Sequence, residues 1–305
     1  MIVKYRTLLR SLFIIFTIVY ACLSIYLHSE VSKLFTGVYP NLTFGINIRE
    51  KAIPISLFFA GLLFFYFFYK AVKGERRLIT FLYWLLYSEI VFYYFKVFSL
   101  HPIEIVHFLQ YGTITIFLGL CFDPQRNKFQ FGKIIFWGSI IGITDEILQY
   151  YLINWVQGYM DFNDWWVNVL GSIGGALLLY GFKNENVILE ALPKFYRTFR
   201  FYFSTILVLL IAILFALGYL GITPDHSIYP LTQAKINGKT ITYLERISTY
   251  FDTLQKHFVH GYFYNLGPLS GMFLIISSIF IFSTFDIRFI TSIKKILRFR
   301  KNDIH

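Results

Sequence analysis

The amino-acid sequence predicts an all-α protein: a polytopic transmembrane bundle of about eight helices, with a short extracytoplasmic hairpin and an amphipathic helix between helices seven and eight. Three observations predict it. Of 305 residues, 56% are hydrophobic and 15% charged, and the mean hydropathy is +0.58. Soluble domains carry about 25% charged residues, and one soluble core of this size cannot take so many apolar side chains. The apolar residues gather in stretches long enough to cross a bilayer. Lys and Arg, the source of a net charge of +11, fall in short runs between those stretches. They form no continuous basic face, which argues against a nucleic-acid partner and makes membrane topology their first role.

Eight candidate spans follow in order, at 8–27, 53–72, 78–98, 103–121, 133–152, 165–182, 201–221 and 268–286. The fourth and sixth are interrupted by Glu104, His107 and Asn168. Positive charge alternates along the chain. Lys4, Arg6 and Arg10 precede span one; Lys70, Lys73, Arg76 and Arg77 join spans two and three; Arg126, Lys128 and Lys133 join four and five. Lys183, Lys194, Arg197 and Arg200 join six and seven, and Lys294, Lys295, Arg298, Arg300 and Lys301 form the tail. Ile153 to Asp164, between spans five and six, has no Lys or Arg. The positive-inside rule then places both termini in the cytoplasm of a multi-pass cell-membrane protein. A cleaved signal peptide is the competing reading of residues 1–28, with a weak lipobox-like Val19-Tyr20-Ala21-Cys22. Retention fits better, because the apolar run continues to Leu27 and the alternation needs the first span. Cys22 and Cys121 lie far apart within apolar stretches and read as packing residues.

The organisation is tripartite: 1–99 with three helices, 100–183 with three helices as a core, and 184–305 with a loop at 223–266. In that loop, Lys235-Ile236-Asn237-Gly238-Lys239 carries an Asn-Gly hairpin signal. Thr242 and Glu245 have capping-box spacing, and Leu244, Ile247, Phe251, Leu254 and Phe258 recur at helical intervals, which predicts an interfacial amphipathic helix. It reads either as a lid over a lipid-accessible site or as a loop hiding its own apolar face.

Charged side chains within a bilayer are costly, so each is a candidate functional group. Glu104, His107 and Tyr111 share one face of span four, with Gln110 beside them. Span five carries Asp145, Glu146 and Gln149; the entry to span six carries Asp161, Asp164 and Asn168. All lie toward the extracytoplasmic ends of consecutive spans, which predicts one acidic, histidine-containing pocket open to that side. Structural alternatives stand beside this reading: Asp161 and Asp164 as helix caps, His107 as a core histidine, Gln149 and Asn168 as interhelical hydrogen-bonding groups, and Gly171 and Gly175 as close-packing residues. Glu89 lines the same cavity or pairs elsewhere. Trp155, Trp165 and Trp166 read as an aromatic belt.

These residues resemble the VanZ-like membrane proteins. Glu104-Ile105-Val106-His107-Phe108-Leu109-Gln110-Tyr111-Gly112 is similar to the first signature of that family; Asp145-Glu146-Ile147-Leu148-Gln149, with Asp164, Asn168, Gly171 and Gly175, is similar to the second. The resemblance covers roughly 100–182. It implies a cell-envelope setting and a link to glycopeptide resistance of the teicoplanin type. The pattern is departed from in two places: Gln157 and Gly158 stand in the loop where the family commonly has an Arg, and Gln110 stands where Glu is frequent. A substitute cation would come from Lys96 or the outer loop.

Three functions are compatible with the pattern. One is an enzyme acting on a lipid-linked or cell-wall substrate, with Asp145 or Glu146 as base, His107 as acid or orienting group, Glu104 and Asp164 completing the catalytic set, and Tyr111, Gln149, Asp161 and Asn168 binding substrate. A metal-assisted variant would use His107 with Glu104, Glu146 and Asp164, but no tight motif such as HExxH is present and no cofactor is assigned. The others are a non-catalytic lipid or amphiphile binder and a proton-coupled transporter. Membrane lipids or a lipid-linked substrate are the expected partners.

Overall fold

The computed structural model describes residues 11–20, 22, 23, 75–98, 103–124, 130–152, 160–180, 199–221, 233–236, 238–243, 252–257 and 261–283, with Thr7, Tyr66 and Tyr69. These residues are mostly helical, as an all-α fold requires. The helices are α1 Ser11–Tyr20, α2 Glu75–Val97, α3 Ile103–Phe122, α4 Phe131–Leu152, α5 Phe162–Tyr180, α6 Phe199–Ala216 and α7 Pro268–Ser283. Apart from Tyr66 and Tyr69, the predicted second span lies outside the described residues.

Helix α5 is the axis of the bundle. α3, α4 and α7 pack along it, and α2 meets it on a smaller face. All its residues except Asp164 and Leu178 are buried. Small residues permit the approach of α3: a Cβ at Gly171 would lie 2.5 Å from the Phe108 carbonyl oxygen, and one at Gly175 would fall onto the Gly112 carbonyl. The Gly171/Gly175 pair is therefore a packing element.

The outer helices expose apolar side chains. Phe199, Tyr202, Ile206, Val208, Leu209 and Ile213 are exposed around α6, as are Leu269, Phe273, Ile276 and Phe280 on α7. Water penalises such a surface at roughly 25 cal/mol per Å2 of apolar area. Among the described helices one stretch, Glu104–Phe122, is long and apolar enough by itself to cross a membrane; Ser11–Tyr20, Tyr202–Ala216 and Pro268–Ser283 are shorter apolar helices.

Three corrections to the sequence reading follow. The seventh span ends at Ala216 and not at 221, because Gly218 (φ 71°) turns the chain out of the helix. Gly218 N donates to Phe215 O at 3.0 Å and Tyr219 N to Leu214 O at 2.8 Å, the pattern of a Schellman stop. Second, the predicted amphipathic helix is not formed where it can be seen. The strands are β1 Leu220–Gly221, β2 Gln233–Ile236, β3 Lys239–Tyr243, β4 Thr253–His257 and β5 Gly261–Asn265. Thr242 lies in β3 and its amide donates to Tyr219 O at 2.9 Å, so it is a ladder residue and not a helix cap. Leu254 lies in β4, antiparallel to β5 with Thr253 opposite Asn265. Cross-strand pairing overrode the helical spacing; residues 244–251 and Phe258 lie outside the described residues. The expected β2–β3 hairpin is present, and β1 extends it in parallel. Third, Trp165 and Trp166 are core and not belt, because α5 is enclosed. Trp166 Nε1 donates to Ser278 Oγ at 3.0 Å, and its ring packs edge-on against Tyr94 and Phe98. Trp155 lies outside the described residues.

Candidate functional site

The polar groups meet where α3 and α5 begin and α4 ends. Spacing by three and four residues puts Glu104, His107 and Tyr111 on one side of α3, and all three are buried. Asp145 and Glu146 of α4 and Asn168 of α5 are buried against them, while Asp164 is half-buried. His107 Nδ1 lies 3.3 Å from Glu146 Oε1. Asn168 Nδ2 donates to the same oxygen at 3.0 Å and approaches the Gly142 carbonyl at 3.3 Å. The Tyr111 hydroxyl donates to Asp145 Oδ2, and Gln110 Nε2 stands 3.5 Å from the Tyr111 oxygen. One ligand atom each from His107, Glu146 and Asp164 lies within 4.8 Å of the others, so these three residues can hold a metal ion.

Fine-scale packing fixes this geometry. A Cβ at Gly142 would lie 2.8 Å from Asn168 Cβ and 3.2 Å from the Tyr111 ring, so α4 comes close enough for Asp145 and Glu146 to reach across. Several buried polar atoms complete no hydrogen bond among the described residues: Asp145 Oδ1, Asn168 Oδ1 and Gln149 Nε2. Gln149 lies beside Asp145, one turn farther along α4. The carboxylates act on one another. Asp164 lies in the fields of Asp161, Glu146, Glu104 and Asp145, and His107, which can carry positive charge, acts on Asp145.

Asp161 is a helix cap. Its Oδ1 accepts from Asn163 N at 2.9 Å and Asp164 N at 3.2 Å. Burial, and then the Glu104 carboxylate, push the Asp161 carboxyl up to about 7. Glu89 does not join the cluster; it is exposed on α2. Lys96 is also exposed, and Tyr94, two residues and about 200° around the helix, is the α2 residue that reaches the site.

The chain matches no protein-family model, no curated protein and no solved structure. Its site is thus described by its own residues.

Two of those residues were not read from the sequence. The Tyr94 hydroxyl donates to Glu104 Oε2 at 2.9 Å and approaches the Asn163 carbonyl at 3.3 Å. Asn163 fastens three elements: Nδ2 donates to Phe98 O at 3.1 Å and Tyr264 O at 2.9 Å, and Oδ1 accepts from Leu266 N at 2.9 Å. Asn163 had a readable signal, an amide next to an acidic residue at the start of an apolar helix. Tyr94 had none, being one of 23 tyrosines in the chain.

Chemically, the site offers an imidazole oriented by a carboxylate, a second carboxylate held by a phenol, and a half-buried third carboxylate. That set can move protons, bind a cation, or grip a polar head group presented from the apolar surroundings.

Proposed function

We propose that the chain is a multi-pass integral membrane protein of the cell envelope, VanZ-like in its 100–182 core, with both termini cytoplasmic. Its acid–histidine pocket binds and acts on the polar head of a lipid-linked substrate from the extracytoplasmic side. One observation carries this reading: Glu104, His107, Tyr111, Asp145, Glu146 and Asp164, drawn from three helices, form one connected cluster within a bundle whose outer helices expose apolar side chains. Charges so enclosed are expensive unless they are used or compensated. Asp164, half-buried, stands at the end from which a head group would enter. Asp145, held through one oxygen by Tyr111 and with Gln149 beside it, is the carboxylate that takes a substrate proton.

A proton-coupled carrier is the second reading, and a specific feature favours it. The buried hydroxyls of Thr115, Ser139 and Ser172, none hydrogen-bonded among the described residues, continue the polar surface one turn deeper on α3 and α5 and about two turns deeper on α4. Uptake driven by a pH gradient in proteoliposomes separates this reading from the first.

The deciding experiment pairs function with folding. Glu146→Gln and Asp164→Asn keep shape but remove charge. They are expected to abolish a phenotype such as altered glycopeptide sensitivity while folded protein stays in the membrane. Full activity of both folded variants would defeat the proposal. For topology, in a chain lacking Cys22 and Cys121, a cysteine at Gln157 or Asn237 should react with an impermeant reagent in intact cells and one at Lys128 should not; the reverse would invert the pocket.

A further inference from the structure

We propose that His107, Glu146 and Asp164 bind a divalent transition-metal cation, Zn2+ or Mn2+, as the resident cofactor of this pocket; this rests on reading the cluster as a functional site and adds its chemistry.

The donor set comes first. An imidazole nitrogen and two carboxylate oxygens, one from each of α3, α4 and α5, approach within 4.8 Å of one another. Nitrogen and oxygen donors without thiolate suit Zn2+ and Mn2+. With metal–ligand bonds of about 2.0–2.1 Å, ligand atoms on a tetrahedron stand about 3.3–3.4 Å apart. His107 Nδ1 and Glu146 Oε1 are 3.3 Å apart. Asp164 is the half-buried member of the three.

The second observation is independent of the three ligands. Asn168 is completely buried, and its acceptor oxygen Oδ1 completes no hydrogen bond among the described residues. Asn168 is pinned by its Nδ2 to Glu146 Oε1, so its orphan carbonyl lies beside the ligand set. A buried acceptor oxygen without a donor, next to an imidazole and two carboxylates, favours a positive occupant.

Charge balance points the same way. Glu104, Asp145, Glu146, Asp161 and Asp164 act on one another, which concentrates acidic groups around the three ligands. A divalent ion offsets two of those charges. Three protein ligands also leave a position open for water or substrate, the arrangement of catalytic rather than structural sites. Asp145, outside the ligand set, then remains to take a proton from what binds there.

The test uses the full chain, purified in mild detergent without a polyhistidine tag and stripped with EDTA. Zn2+ or Mn2+ is added back, free ion is removed, and bound metal is measured by elemental mass spectrometry alongside thermal unfolding. Stoichiometric retention with a raised Tm is expected. His107→Gln, Glu146→Gln and Asp164→Asn should each bring retention to background, whereas Glu89→Gln should retain metal like the parent. Retention by all variants, or none by the parent, overturns the proposal. Should the ligand variants not fold, the parent decides alone through its metal content and the fall of its Tm in EDTA. A parent that binds no metal while folded Glu146→Gln is inactive defeats the cation and leaves the site standing. A folded, fully active Glu146→Gln defeats both.

Discussion

The Tyr94 hydroxyl donates to Glu104 Oε2 at 2.9 Å, tying the end of α2 to the start of α3 across the rim of the polar cluster. Both groups are buried, and a hydrogen bond to a carboxyl group in such a place contributes about 1.5–3 kcal/mol if the carboxyl is ionised and about 1 if it is not. Tyr94→Phe keeps the ring that packs on Trp166 and removes only the hydroxyl. A lower Tm in detergent is expected, with no change for Tyr93→Phe, whose side chain is exposed. Equal Tm values for the two variants would show that the bond contributes nothing.

The packing of α5 on α3 makes a harsher prediction. A side chain at Gly175 points at the Gly112 carbonyl, so backbone must move to admit it. Gly175→Leu should therefore lower the abundance of folded protein sharply, by the overpacking cost of about 1–3 kcal/mol or more. Leu178→Ala, on the exposed side of the same helix, should be tolerated. Comparable abundance of the two variants would mean that α3 and α5 do not meet at the glycines.

The sequence made most of this bundle legible because its signals are local. Apolar run length located α2 to α7 to within a few residues at most ends, and i, i+3, i+7 spacing correctly put Glu104, His107 and Tyr111 on one face. What it missed depends on partners distant in the chain. Leu254 reads as part of a helical stripe until β5 is placed beside it. Trp165 and Trp166 read as interfacial until α2 and α7 enclose α5. Asp161 reads in the sequence both as a cap and as a substrate-binding group; the structure gives it the capping bonds to Asn163 N and Asp164 N.

Asp161 also sets a pH dependence. Its carboxyl is held near 7 in the folded chain, against about 3.9 when unfolded. Between those values the folded state binds more protons, so this group makes stability fall as pH rises through that window. Asp161→Asn keeps a good cap and removes the titration. In EDTA, where no added cation contributes, the variant should lose less Tm than the parent between pH 5 and pH 8 and be the more stable of the two at pH 8. Parallel Tm profiles would show that Asp161 is ionised normally.

Asn163 carries the last prediction. Its amide holds Phe98 O, Tyr264 O and Leu266 N together, so the end of α2, the end of β5 and the approach to α7 are fastened to the first turn of α5. Asn163→Ala leaves the buried Leu266 amide without this acceptor, and each such loss costs about 1–3 kcal/mol, not additively. The loss should be local, because α3, α4 and α5 remain packed through Gly112, Gly142, Gly171 and Gly175. Hydrogen exchange read by mass spectrometry should accelerate in β4, β5 and the first turn of α7 while peptides from α3 and α5 stay protected. Asn163→Asp should behave in between, since it keeps an acceptor for Leu266 N but loses both donated bonds. Acceleration spread evenly over α3 and α5 would mean that Asn163 belongs to the cooperative core. Unchanged exchange in β5 would mean that ring contacts such as Phe98 with Tyr264 hold the sheet without it.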